Sequence, residues 1–397
     1  MISLSEARSI IATETTSLEP VRASLADAVG RILREEVRAP EDLPSFDRSA
    51  MDGYVISADD PAERLRVVAE IQPGAIPAFA LNPGECARIY TGGAIPVGAS
   101  QVLMQEEVRR EGEWMIPARR GAATHIRRSG EDARRGDLLL DSRTRIGPGE
   151  AALLAQIGVM QVSVSPAPRV VHLTTGNELV PPHVQPEPGQ IRDSNSTLIA
   201  ALLAAHGAAL LAQRHCTDRL DALVDAVRGL PEERWDLLLI SGGASVGDYD
   251  FGARALESLG FTIHFRKVNL RPGKPLVFAS RDRQLAFVLP GNPVSHFVTF
   301  HLAVRLALEG LESAHQAWPM LRSTLVAPQK PFIDERETWA PGRLELAGEA
   351  RVTPLAWQSS GDLRGLVGAN CLVRIPSSAS PIEVGQSVEC LWLEHRP

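Results

Sequence analysis

The stretch Trp235 to Asp250, WDLLLISGGASVGDYD, constrains the fold more than any other part of this chain. Leu237 to Ile240 form an apolar run without alternation, the pattern of a strand buried on both faces of a parallel sheet. Gly242, Gly243 and Gly247 follow at once. Asp248 or Asp250 can then cap a helix whose apolar face runs through Phe251, Ala255, Leu256 and Leu259. A strand that passes through a glycine loop into a helix leaves backbone N–H groups above the strand's carboxyl end, a geometry suited to phosphates and other oxyanions. Glycines so placed also serve plain tight turns, so the reading depends on other loops reaching the same edge.

The flanking sequence repeats the theme. From Arg169, RVVHLT reads as a strand ending in TTGNEL; a helix follows near DSNSTLIAALLAAHG, capped by Asn195 or Ser196, and AALLAQRH is a second strand. Asp218 opens a helix with Leu220, Leu223, Val224 and Val227 on one face, which leads to the central strand. FTIHFRKVNL, LVFAS and QLAFVLP supply further strands. The last ends in Pro290-Gly291-Asn292-Pro293, with Asn292 as cap and Pro293 at the first helical position. This alternation predicts a doubly wound α/β domain over residues 168–317.

On either side the texture changes. Residues 1–40 carry helical spacing, through Leu4, Ala7, Ile10 and Ile11 and again through Leu25, Ala28, Val29, Ile32 and Leu33 after Pro20. Residues 44–136 are broken by Pro and Gly, with β-type runs at Leu65–Val68, Ala87–Tyr90, Val102–Met104 and Trp114–Ile116, and read as an inserted β-rich domain. Helical spacing returns from Gly149 to Gly158, followed by the strand-like VMQVSV, so 1–43 and 137–167 form a discontinuous linker domain around the insertion. In 318–397, TLVAP, GRLELAG, ARVTPLAW, CLVRIP and QSVECLWL read as strands of a small C-terminal β-barrel.

Composition excludes several functions. A formal net charge of -7 argues against nucleic-acid binding, although four arginine pairs, at 109/110, 119/120, 127/128 and 134/135, need an account as a solvated surface or an anion-attracting edge. No apolar run reaches membrane-spanning length and the amino terminus has no signal-peptide pattern, so the expectation is a cytoplasmic protein without a membrane partner. Cys86, Cys216, Cys371 and Cys390 lie far apart without a CxxC pair, which predicts buried thiols. The histidines show no HxxxH or HExxH spacing, so a histidine-built catalytic metal site is not supported. Ser245, in GGASVG, is a loop hydroxyl and not a nucleophile elbow.

In an open α/β sheet, ligands sit outside the carboxyl ends of the strands. TTGNEL brings Glu178 there, SGGASVGDYD brings Asp248 and Asp250, LPGNPVS brings backbone donors, and KVNLRPGKP brings Lys267, Arg271 and Lys274. Carboxylates beside cations fit Mg²⁺ ligation with substrate phosphates; salt bridges that only hold loops are the alternative.

Seven segments in order, PSFDRSAMDGY, YTGGAIPVGASQVLMQEE, TTGNELV, GQIRDSNS, SGGASVGDYD, RPGKP and LPGNPVS, resemble the molybdopterin molybdenumtransferases, a family related to the gephyrin carboxy-terminal domain. The resemblance implies a homodimer whose cleft joins one subunit's α/β domain to the partner's inserted domain. It implies Mg²⁺, with adenylylated molybdopterin and molybdate as substrates and AMP as a product. It further implies protein partners: the molybdopterin adenylyltransferase and molybdoenzyme maturation factors. Carried onto this chain, it marks Asp52, Glu178, Asp218, Asp250, Lys267 and Lys274 as catalytic, with Glu178 and Asp250 toward the metal. Thr91, Ser241, Gly242, Gly243, Ser245, Gly247, Asp248, Arg271, Pro290, Gly291, Asn292 and Ser360 then bind substrate. Three features depart from the family pattern: Asn177 stands where TGDEL is usual, Arg271 replaces a frequent Lys, and the segment ETWAPGRLEL is poorer in the last-domain pattern. A non-catalytic molybdopterin-binding or scaffolding module is the alternative function.

Overall fold

Every residue of the strand Leu237–Ser241 is buried, as its unbroken apolar pattern demands. In the computed structural model, which describes residues 1–230, 235–243, 251–314, 318–329, 335–356, 358–377 and 380–393, it is the third strand of a six-stranded sheet. We number that domain β1 (Arg169–Thr175), α1 (Asn195–Ala205), β2 (Ala209–Cys216), α2 (Leu220–Arg228), β3 (Leu237–Ser241), α3 (Phe251–Ser258), β4 (Thr262–Phe265), β5 (Val277–Arg281), β6 (Gln284–Leu289) and α4 (Pro293–Thr299). The strand order is β2-β1-β3-β6-β5-β4, with β1, β2, β3 and β6 parallel and β5 antiparallel to both of its neighbours.

Period-two geometry sends alternate side chains of these strands into two cores. Leu237, Leu239, Leu285 and Phe287 face Ile199 and Leu203 of α1, Phe297 of α4 and the amino-terminal helix Leu4–Glu14. Leu238, Ile240, Ala286 and Val288 face Leu223 and Val227 of α2 and Ala255 and Leu256 of α3. Helices on both faces make the sheet doubly wound, as expected. At Gly252 a Cβ would stand 2.7 Å from Val288 Cγ1, so α3 approaches β6 more closely than any side chain would allow.

The last strands close on themselves. Glu337–Ala347 pairs with Glu349–Pro354 and Cys371–Ile375, the latter pairs with Ser387–Trp392, and Met320–Leu325 joins Ser387–Trp392 to Glu349–Pro354. This is a five-stranded barrel around Leu325, Val352, Val373 and Cys390. The segment FTIHFRKVNL is not one strand as its β-type residues suggested. It splits into β4 and the short Leu270–Arg271, which pairs with Glu337–Thr338 of the barrel. Val268 and Leu270 are drawn into the α/β core and turn the chain out of the sheet.

Residues 1–40 also depart from expectation. Leu4–Glu14 is helical and buries Leu4, Ala7 and Ile11. Beyond Pro20, however, Val21–Ser24 is a strand paired with Gln161–Val164, and only Leu25–Ala28 is helical. Ile32 and Leu33 are buried from bridges to Arg145 and Val164, so strand pairing distant in sequence overrode a helical spacing.

The chain divides into two compact units, Met1–Arg34 with Arg145–Ala151 and Gln161–Pro397, and Glu35–Thr144 with Ala152–Met160. The second holds a six-stranded sheet in the order Gln101–Met104, Gly53–Ile56, Glu85–Ile89, Leu65–Ile71, Trp114–Pro117, Val108–Glu111. The side chains of three of its four arginine pairs, 109/110, 119/120 and 127/128, are engaged locally. Arg109 meets Glu111, Arg119 meets Glu107, Arg127 meets Glu131 and Asp132, Arg128 meets Asp47, and Arg120 donates to the Asp60 and Ala62 carbonyls. No helix among the described residues is long and apolar enough to cross a membrane. The four cysteines are buried free thiols.

Candidate active site

From β1 the chain passes to β2 on one side and returns to β3 on the other, so strand order reverses between β1 and β3. Ligands of open α/β sheets bind outside the carboxyl ends at such a point. Here β1 ends in Thr175-Gly176-Asn177-Glu178 and β3 in Ser241-Gly242-Gly243. Gly242 has φ +89°, and a Cβ on it would lie 2.7 Å from the Thr175 carbonyl oxygen, so only glycine lets the two loops meet.

A cavity of about 740 Å³ opens at this edge. Gly242 and Gly243 form one wall, Arg271 to Pro275 a second, Pro290 to Asn292 with Ser295 a third, and Arg336 with Gln358 to Ser360 from the barrel a fourth. Its described lining carries three cationic side chains, Arg271, Lys274 and Arg336, and no carboxylate. Low-dielectric walls of one sign concentrate anions. Gly273, at φ +117° with Thr299 Cγ2 2.5 Å from a would-be Cβ, sets the tight turn between the two cationic residues of its loop. A second cavity of about 770 Å³ lies at the amino ends of the strands, where Arg169 is bonded to Asp236 and Arg283 to Glu19. Its described lining mixes arginines with the carboxylates Glu19, Asp236 and Asp282.

The cap positions in this region do not do what their sequences suggested. Asn292 occupies the cap position of α4 and Pro293 its first turn, but the Asn292 side chain makes no capping bond and donates from Nδ2 to Ser360 Oγ at 2.7 Å. The Ser360 carbonyl accepts from Val294 N–H at 2.9 Å, so this loop and the barrel serine are tied twice. At α1, Asp193 rather than Asn195 or Ser196 does the capping, accepting the Ser196 N–H at 3.0 Å. Asn195 instead donates to the Gly291 carbonyl at 2.7 Å.

Of the residues nominated from sequence, the cavity gathers Gly242, Gly243, Arg271, Lys274, Pro290, Gly291, Asn292 and Ser360. Ser241 does not reach the lining: it is buried, and its hydroxyl lies 2.5 Å from His172 Nε2 and 3.4 Å from His296 Nε2. Lys267 is exposed and outside the lining, its carbonyl accepting from Ile2 N–H. Glu178 is exposed at the end of β1 and also outside the lining. Asp218 bonds to Asn177, each side chain accepting the other's backbone N–H. In the other unit, Asp52 Oδ1 accepts from the Thr91 N–H and hydroxyl, both at 2.7 Å. Those bonds, first the backbone one, hold the Asp52 carboxyl below the usual range, so it is ionised near neutrality. Ser245, Gly247, Asp248 and Asp250 lie outside the described residues.

Arg336, Gln358 and Ser295 were not anticipated as site residues. Arg336 directly precedes the barrel strand that pairs with Leu270–Arg271, and no local motif distinguishes it from a surface arginine. Ser359, beside Ser360, also lines the cavity. Among the described residues there is no group of three or more His, Cys, Asp or Glu side chains able to hold a metal ion.

Fold and cavity together define a doubly wound α/β protein with a cationic cavity at the carboxyl edge of its sheet, beside the loops after β3 and β6. Family comparisons are specific. Residues 2–158 match the MoeA N-terminal region (domain I and II), 172–310 a probable molybdopterin binding domain, and 331–393 the MoeA C-terminal region (domain IV). A molybdopterin molybdenumtransferase of Nostoc sp. is 36% identical over 380 residues, covering 92% of this chain and 87% of that protein. The Bacillus subtilis molybdopterin molybdenumtransferase is 34% identical, covering 93% and 89%. The molybdopterin biosynthesis moeA protein of Pyrococcus horikoshii superposes with a TM-score of 0.83 at 27% identity, covering 99% of this chain and 100% of that one. The chain belongs to the molybdopterin molybdenumtransferase family.

Proposed function

We propose that this protein is a transferase of molybdenum cofactor biosynthesis that inserts molybdate into adenylylated molybdopterin and releases AMP in a Mg²⁺-dependent step. The observation that carries the reading is the pocket at the carboxyl edge, with Arg271, Lys274 and Arg336 and no described carboxylate in its walls. A pyrophosphate and molybdate repel each other, and cations in a partly desolvated pocket offset that repulsion. Arg271 presents a planar fork suited to two oxyanion oxygens and Lys274 a mobile point charge, so the two are not interchangeable. The Asn292–Ser360 bond holds the β6 loop against the barrel wall and keeps the pocket's shape.

Mg²⁺ usually takes only one or two protein carboxylates and completes its shell with waters and phosphate oxygens. Exposed Glu178 at the end of β1 fits that modest requirement, with Asp250 as the second carboxylate by sequence. Bound there, the ion would supply positive charge to the phosphoanhydride. Asp218 holds the Glu178 loop through Asn177. We assign Asp52 and Thr91 to substrate contact from the inserted domain of a second copy in a homodimer. Their mutual bonds keep the carboxylate ionised and its rotamer fixed.

The test is molybdenum cofactor formation from adenylylated molybdopterin, molybdate and Mg²⁺. Turnover dependent on the protein supports the assignment; none above a protein-free control ends it.

A further inference from the structure

Beneath the pocket runs a chain of polar groups, exposed at Gln213 and buried from His172 onward, that joins three strands and ends on a pocket loop. Gln213 Nε2 lies 2.9 Å from the Ser196 carbonyl oxygen and 2.9 Å from His172 Nδ1. His172 Nε2 lies 2.5 Å from Ser241 Oγ, Ser241 Oγ lies 3.4 Å from His296 Nε2, and His296 Nδ1 lies 3.1 Å from the Pro290 carbonyl oxygen. His172, Ser241 and His296 are each 1% exposed or less.

The two ends determine every proton in between. A carbonyl oxygen only accepts, so His296 carries its proton on Nδ1 and Nε2 must accept from the Ser241 hydroxyl. That hydroxyl, having donated, accepts from His172 Nε2–H. His172 Nδ1 is then bare and accepts from the Gln213 amide, whose nitrogen is identified by its bond to the Ser196 carbonyl. The order is closed: both imidazoles are neutral and of opposite tautomer. A proton added to His172 Nδ1 would face the Gln213 amide donor, and one added to His296 Nε2 would turn the Ser241 hydroxyl from donor to acceptor and leave its own proton without this partner.

The far end orients the pocket wall. Each carbonyl from Leu289 to Asn292 accepts a bond from the protein: from Gly242 N–H, His296 Nδ1–H, Asn195 Nδ2 and His296 N–H respectively. In a trans peptide the N–H points opposite to its carbonyl. Holding the Pro290 carbonyl inward therefore turns the Gly291 N–H outward, on a residue that lines the pocket.

We propose that His172, Ser241 and His296 are positioning residues of the transferase pocket: their ordered relay fixes the Pro290–Gly291 peptide with its N–H toward the bound anion. The activity arm of this inference rests on the function proposed above; the proton order does not. Asp193 is the charged group that faces both rings among the described residues, and its carboxylate is engaged by the Ser196 N–H and hydroxyl. Burial pushes both histidines down, His172 to about 3 and His296 to about 4, which keeps the relay neutral through the physiological range.

The first experiment is ¹⁵N NMR of histidine-labelled protein at pH 7 and pH 5. The expected result is His172 as the Nε2–H tautomer and His296 as the Nδ1–H tautomer at both values. Equal tautomers, or a charged ring at pH 5, overturn the relay whatever the enzyme does. The second compares His296→Leu, which removes the donor to Pro290, with His296→Asn, whose Nδ2 can replace Nδ1–H. In the folded proteins, His296→Leu should raise KM for adenylylated molybdopterin about tenfold or more with a smaller change in kcat, and His296→Asn should recover most of it. A Leu variant with wild-type KM, or an Asn variant no better than Leu, overturns the positioning role. If His296→Leu does not fold, Ser241→Ala replaces it, with raised KM expected and wild-type KM overturning. Wild-type protein without turnover but with the stated tautomers would remove the function and leave the relay standing.

Discussion

Asn177 and Asp218 grip each other by reciprocal hydrogen bonds: the Asn177 N–H donates to Asp218 Oδ2 at 3.3 Å and the Asp218 N–H donates to Asn177 Oδ1 at 3.2 Å. The pair ties the loop after β1 to the loop before α2, on the edge where strand order reverses. The Asn177 side chain here closes a loop. Aspartate could accept the same N–H but would set two carboxylates side by side. Asn177→Asp should therefore lower the thermal midpoint at low ionic strength, with part of the loss recovered by added salt. Asn177→Ala, which removes one bond, should cost about 1 kcal/mol whatever the salt. Thermal unfolding in low and high salt checks both.

Lys274 and Arg336 approach the same cavity from different elements, the loop after Arg271 and the start of a barrel strand. Charge-assisted bonds contribute roughly 1.5–3 kcal/mol. Lys274→Ala should then lower kcat/KM about 10- to 100-fold in cofactor formation, with Arg336→Ala in the same direction. The wild-type rate should also fall with ionic strength, and both variants should flatten that dependence. Steady-state kinetics at two salt concentrations would show it.

Gly242 and Gly30 separate crowding from backbone strain. Both have positive φ, +89° and +82°, but Gly30 has nothing within 4 Å of a would-be Cβ, whereas Gly242 meets the Thr175 carbonyl at 2.7 Å. Gly30→Ala should cost about 1 kcal/mol from conformation alone, and Gly242→Ala should cost roughly 2–4 kcal/mol because two loops must part. Denaturant titrations of the two variants, compared with wild type, test the difference.

The buried histidines make stability depend on pH with a definite sign. Burial lowers His172 to about 3 and His296 to about 4 from an ordinary value of 6.5. Between those values and 6.5 the unfolded chain binds protons that the folded chain refuses. Their contribution is complete above about pH 6.5 and is lost as pH falls toward 4, each histidine adding a slope of up to about 1.4 kcal/mol per pH unit. The midpoint of denaturant unfolding should drop from pH 7 to pH 5, and His296→Asn should drop less steeply. Parallel curves would contradict this.

Much of the architecture was legible because its signals are local. The unalternating Leu237–Ile240 run, the glycines after it and the helical faces through Leu223 and Leu256 report burial on two sides and a strand-loop-helix rhythm, which need no partner to be recognised. The short β runs after Pro319 announced the barrel in the same way. The errors fell where pairing is distant: residues 1–40 were read as helical, yet Val21–Ser24 is a strand because Gln161–Val164 lies beside it, and of the spacing through Leu25 to Leu33 only Leu25–Ala28 is a helix. FTIHFRKVNL broke in two because Leu270–Arg271 found an edge on the barrel.

Residue types and motif order, by themselves, determined the chemistry on offer: oxyanion-binding loops, acidic and basic side chains at strand ends, and a family pattern spanning the chain. Only tertiary structure decided which of these meet. It drew Arg336 and Ser360 from the barrel to Lys274 and Asn292, left Lys267 and Ser241 outside the lining, and turned Asn292 from a helix cap into a tether. The physical reason is that a side chain's partners are set by which distant elements pack together, and hydrogen-bonding groups such as Asn, Ser and His take whichever partner that packing supplies.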